Sequence, residues 1–245
     1  MTRHVAVVTG GSRGLGRACA VALAEAGWTV AIGYRSSETD AKETVAALEA
    51  AGMPGLAVYL DITDESSVQE SFRRVGAEVG AVTGLVNNAG FSQDGLLVKY
   101  SMETYDRVMA TNVRGSFLCT QVALRGMLRA KFGRIVNMSS AVALHGNAGQ
   151  TVYAASKTAL LGLTTSLARE VGAKGITVNA VCPGLVDTEM TSHLDEKSRA
   201  HYVDQTPAGR TATHEEVAAV VRFLMSSEAS YVNGAVIPVD GGLTA

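Results

Sequence analysis

Tyr153 and Lys157 stand four residues apart in a segment of helical composition. Positions i and i+4 share a helical face, so a phenol and an ammonium can meet there. A free tyrosine titrates near pH ~10 and is a poor proton donor or acceptor at neutrality. A close ammonium favours the phenolate and is expected to lower that value. Such a pair suits the delivery of a proton to a carbonyl oxygen as hydride reaches its carbon. Ser139 and Ser140 follow an apolar run at residues 134–138. A hydroxyl there can hold the same oxygen, or it can cap a turn. Asn112 falls inside a helical stretch, where asparagine is disfavoured. Its amide can hold a water or a backbone group and relay protons, or it can be satisfied locally and kink the helix.

A second constellation precedes these groups. Thr9-Gly10-Gly11-Ser12-Arg13-Gly14-Leu15-Gly16 lies between the first apolar run and the first helical stretch. Glycines there permit a tight turn and let backbone amides approach a pyrophosphate, and a helix N-terminus adds partial positive charge. An NAD site places a carboxylate at the end of the second strand, for the ribose 2′-hydroxyl. That run reads Val30-Ala31-Ile32-Gly33-Tyr34-Arg35-Ser36 and carries no acid. Arg13 and Arg35 instead offer two guanidiniums, which grip a 2′-phosphate through charge-assisted forks. NADP(H) is the expected cofactor. In Asn87-Asn88-Ala89-Gly90 the small residues let a ribose or adenine approach the backbone.

The elements that must position these groups alternate regularly. Strands are predicted at residues 5–8, 29–33, 55–60, from 84 to 86, and at 134–138, 177–181 and 235–239. Helices are predicted at 14–26, 39–51, 65–79, from a Ser101 cap to about Lys131, and at 152–171 and 215–225. Alternation at this spacing gives a parallel sheet with helices on both faces. The strand runs are apolar throughout, as expected when both faces are covered. The predicted fold is therefore α/β: a single-domain Rossmann fold with a doubly wound, seven-stranded parallel sheet over residues 1–245. Residues 183–213 read as one long irregular stretch, a substrate-side loop or lid.

Composition narrows the function classes. The 245 residues are 47% hydrophobic and 18% charged, with four prolines, which describes a globular chain. A net charge of −2 supplies no field for nucleic acid or an anionic membrane. Cys19, Cys119 and Cys182 are dispersed, without C-x-x-C spacing, and read as small buried hydrophobes. The histidines are scattered too, so no metal site is expected. Neither a signal segment nor an eighteen-residue apolar span is present, and a cytoplasmic protein is expected.

With these motifs assembled, the chain resembles the short-chain dehydrogenase/reductase family from Val5 almost to its C-terminus. The family's TGxxxGxG is met by Thr9, Gly10, Gly14 and Gly16, and its NNAG by Asn87 to Gly90. The resemblance implies a catalytic tetrad of Asn112, Ser140, Tyr153 and Lys157. Ser140 is preferred over Ser139 because the family's serine lies about thirteen residues before the tyrosine. Lys157 would also bind the nicotinamide ribose. Further cofactor contacts implied are Ser12, Leu15, Asp61, Ile62, Asn88, Ala89, Gly90, Pro183, Gly184, Val186 and Thr188.

Within the family the chain is most similar to 3-oxoacyl-[acyl-carrier-protein] reductases, through Asn137-Met138-Ser139-Ser140, Gly146-Asn147-Ala148-Gly149-Gln150 and the tail Pro238-Val239-Asp240-Gly241-Gly242. Those enzymes are typically NADPH-dependent homotetramers. Two arginines that dock the acidic carrier in some relatives correspond to Lys131 and Lys174, which keep the charge without the planar fork. Val152 replaces an asparagine usual before the tyrosine. Phe91 and Leu144 are expected to give an apolar lining. The resemblance thus implies reduction of a 3-oxoacyl thioester on acyl-carrier protein. Acetoacetyl-CoA, a polyketide-type intermediate, a free ketone or an oxidative NAD(P) reaction are the alternatives, and a non-catalytic cofactor-binding regulator is the remaining one.

Overall fold

A computed structural model describes residues 4–187 and 195–245. In chain order the described residues form β1 (Val5–Thr9), α1 (Gly14–Glu25), β2 (Thr29–Tyr34), α2 (Glu38–Ala50), β3 (Gly55–Tyr59), α3 (Glu65–Glu78) and β4 (Val82–Asn87). These are followed by α4 (Met102–Met109), α5 (Ser116–Ala130), β5 (Gly133–Met138), α6 (Val142–His145), α7 (Thr151–Val171), β6 (Ile176–Pro183), α8 (Glu196–Gln205), α9 (His214–Met225) and β7 (Val236–Val239). The strands pair in the order β3-β2-β1-β4-β5-β6-β7, every pair parallel.

Both faces of the sheet are buried. One face packs on α1, α2 and α9 through side chains such as Leu23, Leu48 and Leu224. The other packs on α3, α5 and α7 through Val68, Met127 and Leu167. This double cover explains why the strands carry apolar residues on both sides. The strand order reverses between β1 and β4, and a crevice opens there at the carboxyl ends. Among the described residues no helix is long and apolar enough to cross a membrane, and no group of three His, Cys, Asp or Glu could hold a metal.

The helix predicted from a Ser101 cap to about Lys131 is present, but α4 passes through a π-helical turn, Ala110–Gly115, into α5. Asn112 sits at that turn, where its amide finds partners outside the helix. The stretch at 183–213 is not irregular throughout, since it contains α8. Its helix is strongly polar, with no buried residue, which erased the apolar periodicity that would have revealed it.

At the opposite, amino edge of the sheet His4 stacks on Phe132 with centroids 4.3 Å apart. The Arg134 guanidinium lies 4.5 Å over the same ring. Burial, with Arg134 nearby, holds His4 below the ordinary imidazole value. The unfolded chain therefore takes up this proton first, so the stability His4 contributes is full above pH ~6.5 and is lost as pH falls below it. We expect Tm to drop between pH 7 and 5, and His4→Phe to reduce that drop. An unchanged slope in thermal unfolding of the variant would exclude His4 as its source.

Candidate active site

The first component is the turn after β1. Gly10 and Gly14 have φ of +61° and +53°, where a side chain is strained. A Cβ on Gly16 would stand 2.2 Å from the Gly10 carbonyl oxygen. The Thr9 hydroxyl accepts the N–H groups of Asn88 and Ala89, each at 3.0 Å. Asn88 Nδ2 in turn donates to the carbonyls of Thr9 (3.0 Å) and Gly10 (3.1 Å). The glycine turn and the end of β4 are thus one hydrogen-bonded unit. Side chains cap α2, α3, α4, α8 and α9 at their N-termini. The start of α1 has no side-chain cap and no acidic residue in its first turn, which leaves its amides suited to an anion.

The second component is the junction of β5 with α7. The Lys157 ammonium, 4% exposed, donates to the Met138 carbonyl at 2.8 Å. The Ser139 hydroxyl donates to the Lys157 carbonyl at 2.9 Å. Deeper down, Asn137 Nδ2 donates to Thr164 Oγ1 at 2.9 Å, and Asn87 Nδ2 donates to Asn137 Oδ1 (2.8 Å) and Thr120 Oγ1 (2.9 Å). This buried ladder joins α5, β4, β5 and α7. Both serines line the crevice, but the Ser139 side chain is buried and tied to α7, while Ser140 is the more open of the two.

The structure brings the four tetrad candidates together. Ser140 lines the crevice beside Tyr153, close enough for its hydroxyl to favour the phenolate. Lys157 Nζ lies 5.8 Å from the centre of the Tyr153 ring. A Cβ on Gly90 would meet Lys157 Nζ at 3.2 Å and Asn112 Oδ1 at 3.5 Å, so both converge on that glycine. The Asn112 side chain is fully engaged: Oδ1 accepts the Phe91 N–H at 2.8 Å, and Nδ2 donates to the Phe91 carbonyl and to Ser156 Oγ, each at 2.9 Å. Ser156 Oγ donates to the Tyr153 carbonyl at 2.7 Å. Asn112 thus fastens the π turn to both the Phe91 loop and α7.

The expected lowering of the tyrosine is reversed. Burial pushes Tyr153 up to about 12, opposed by the Ser140 hydroxyl and reinforced by the Asp94 carboxylate. Burial also pushes Lys157 down to about 8. The ammonium is directed at a backbone carbonyl, so desolvation decides both values. The phenol is held protonated, the form a proton donor requires.

A crevice of about 1120 Å³ runs from the glycine turn to Tyr153. Gly10, Ser12, Arg13, Gly14, Leu15 and Gly16 line one end, with Arg35, Asp61 and Ile62 beside them. Asn88, Ala89, Gly90, Ser140, Tyr153, Lys157, Pro183, Gly184 and Val186 line the remainder. Thr188 lies outside the described residues. Asn112 is wholly buried beneath the crevice rather than lining it. Phe91 lines it, whereas Leu144, expected beside it, is 40% exposed and does not. Val152 is buried in the first turn of α7. Lys131 caps α5 and Lys174 ends a short 3-10 turn, Gly172–Lys174, before β6. Both precede the amino ends of their strands, β5 and β6.

Sequence reasoning missed Asp94, Arg107, His145 and Tyr202, all of which line the crevice. None carries a local motif; Asp94 and Tyr202 reach it from a loop and a polar helix. Arg107 lies 4.8 Å over the Phe91 ring.

A family model described as enoyl-(acyl carrier protein) reductase, within the short-chain dehydrogenases/reductases, matches residues 10–244. The chain belongs to this family. It is 44% identical over 239 residues to 3-oxoacyl-[acyl-carrier-protein] reductase FabG of Pseudomonas aeruginosa, covering 98% of this chain and 96% of that protein. Identity to the FabG of Vibrio harveyi is 42%, with the same coverage. Among solved structures, a blue fluorescent protein from a metagenomic library in complex with NADPH superposes with a TM-score of 0.91 at 40% identity, covering 99% of this chain and 98% of that one. A putative gluconate dehydrogenase from Agrobacterium tumefaciens gives 0.95 at 34% identity, covering 99% and 96%.

Two substitutions test this geometry. Gly16→Ala drives a Cβ into a backbone oxygen and is expected to cost more than about 2 kcal/mol or to displace the turn. Asn112→Ala strips both backbone groups of Phe91 of their partners and is expected to cost about 2–3 kcal/mol. Denaturant unfolding measures both; changes under about 0.5 kcal/mol, the range of ordinary surface substitutions, would contradict the packing described.

Proposed function

We propose that this protein is an NADPH-dependent ketoreductase that reduces a 3-oxoacyl thioester, carried by an acyl-carrier protein, to the 3-hydroxyacyl product. The observation that carries the reading is the juxtaposition of Ser140, the protonated Tyr153 and Lys157 in one crevice with the glycine turn and two arginines. The similarity to 3-oxoacyl-[acyl-carrier-protein] reductases supports the substrate class.

The residues present fit the cofactor. The uncapped first turn of α1 and the left-handed Gly14 suit a pyrophosphate. Arg13 and Arg35 line the same end and suit a 2′-phosphate. When bound, NADPH supplies the hydride for the ketone carbon. The Ser140 hydroxyl holds the carbonyl oxygen, and Tyr153 gives that oxygen its phenolic proton. The Lys157 ammonium holds positive charge beneath the reacting groups, where a phenolate forms as the proton leaves. Asn112 acts at one remove by fixing Gly90, Phe91 and α7.

Oxidation of an alcohol with NAD is the second reading, favoured by the gluconate dehydrogenase likeness. It is disfavoured by Arg35 standing where that cofactor's carboxylate partner is needed.

Steady-state reduction of a 3-oxoacyl thioester by NADPH is expected to fall at least about 10³-fold in Tyr153→Phe, with NADPH binding retained. Full activity in that variant would remove Tyr153 as the acid. Arg35→Ala is expected to weaken NADPH by about tenfold and leave NADH unchanged in fluorescence titration. Equal losses for both would refute a 2′-phosphate site. Because Lys157 loses its charge above about 8, NADPH affinity should weaken from pH 7 to 10, and Lys157→Met should flatten that dependence.

A further inference from the structure

Tyr202 is the residue of α8 that lines the crevice, and no part of the proposed chemistry uses it. Its ring is half-buried and its hydroxyl is 2.5 Å from Asn147 Nδ2. The same nitrogen donates to Gln150 Oε1 at 2.9 Å. Gln150 Nε2 then donates to both Asp94 oxygens, at 3.0 and 3.1 Å. The Ser92 hydroxyl donates to Asp94 Oδ1 at 3.0 Å. A continuous polar chain therefore runs from α8, across the residue preceding α7, to the loop after β4. Tyr153 lies one turn beyond Gln150, and Asp94, Gln150, Tyr153 and Tyr202 all face the same crevice.

The backbone that presents this chain is itself fixed. Asn147 stands between Gly146 and Gly149, whose φ values of +72° and +80° turn the segment sharply. The Gly149 carbonyl accepts the Gly95 N–H at 2.8 Å, which ties the two loops directly. A tyrosine held by its hydroxyl cannot swing aside without leaving Asn147 short of a partner. A substituent that extends from a carbonyl at Ser140 and Tyr153 toward α8 meets this ring and its polar partners. Burying a methylene against an apolar wall is worth about fourfold in affinity. The polar partners Asn147, Gln150 and Asp94 return none of that, and the ring, pinned by its hydroxyl, blocks the chain's path.

We propose that Tyr202 is a specificity-determining residue that restricts the site to short 3-oxoacyl groups, with Asn147, Gln150 and Asp94 holding its ring in place. The proposal rests on the ketoreductase reading and names its substrate class more narrowly.

The test is kcat/KM with NADPH for four-, six-, eight- and ten-carbon 3-oxoacyl-CoA thioesters, on the full chain and on Tyr202→Ala and Tyr202→Phe. For the wild type, kcat/KM should not rise beyond the six-carbon substrate. Tyr202→Ala should raise the eight-to-four ratio by about tenfold or more, since removing the ring makes room for two or more methylenes to leave water at about fourfold each. Tyr202→Phe keeps the ring and frees it from Asn147, and should raise the ratio by about threefold. A ratio divides out any loss of folded protein, and NADPH titration of each variant checks that the other end of the crevice is intact. A wild type that prefers the ten-carbon thioester, or an unchanged ratio in Tyr202→Ala, would overturn the proposal. Intact NADPH binding with no turnover of any thioester by the wild type would overturn the ketoreductase reading itself, and this proposal with it.

Discussion

The attachment of α7 to the end of β5 is the constraint on which the rest of the site depends. A helix packed on a sheet by aliphatic contacts alone can shift along it at little cost, because such contacts are non-directional. Here three hydrogen bonds fix the register: Asn137 to Thr164, Lys157 to Met138, and Ser139 to the Lys157 carbonyl. They use three consecutive residues, Asn137 and Met138 at the end of β5 and Ser139 just after it, and all are buried, where an unpaired partner is costly. Tyr153 therefore meets Ser140 in one geometry. The ladder through Asn87 and Thr120 extends the constraint to α5, which follows the π turn that holds Asn112.

The same economy of interactions governs the two ends of the crevice. Asn88 donates twice to Thr9, from its backbone N–H and its side-chain amide, at the point where the strand order reverses. This leaves the glycine turn rigid and the amides of α1 directed outward. At the other end the electrostatics follow from burial. Desolvation raises the phenol, which favours the protonated form a donor requires, and lowers the ammonium, which confines its positive charge to pH below about 8. Asp94 adds a negative charge near the phenol and so favours its protonated form.

Much of this was legible in the residues alone. The strands could be placed because double cover removes their alternation and leaves short apolar runs between glycines. The Tyr153–Lys157 pair and the turn from Thr9 to Gly16 are local in sequence, and their chemistry depends on spacing within one helix or one turn. The π turn at Asn112 was half visible: asparagine in a helix signalled a conflict, but its resolution through Phe91 and Ser156 needed partners 21 and 44 residues away. The helix α8 stayed hidden because its residues are polar on every side.

The sequence by itself determined the parallel fold, the glycine turn after β1, the residue types gathered in the candidate site and the absence of an acid after β2. All of these reside in short-range patterns of residue type. Only the tertiary structure decided that burial outweighs the ammonium at Tyr153, that the Ser139 hydroxyl is spent on fastening α7 while Ser140 stays more open to the crevice, and that Asp94, Gln150, Asn147 and Tyr202 form one chain. Desolvation and hydrogen bonding across distant segments depend on what surrounds a group in space, and no spacing along the chain encodes that surrounding.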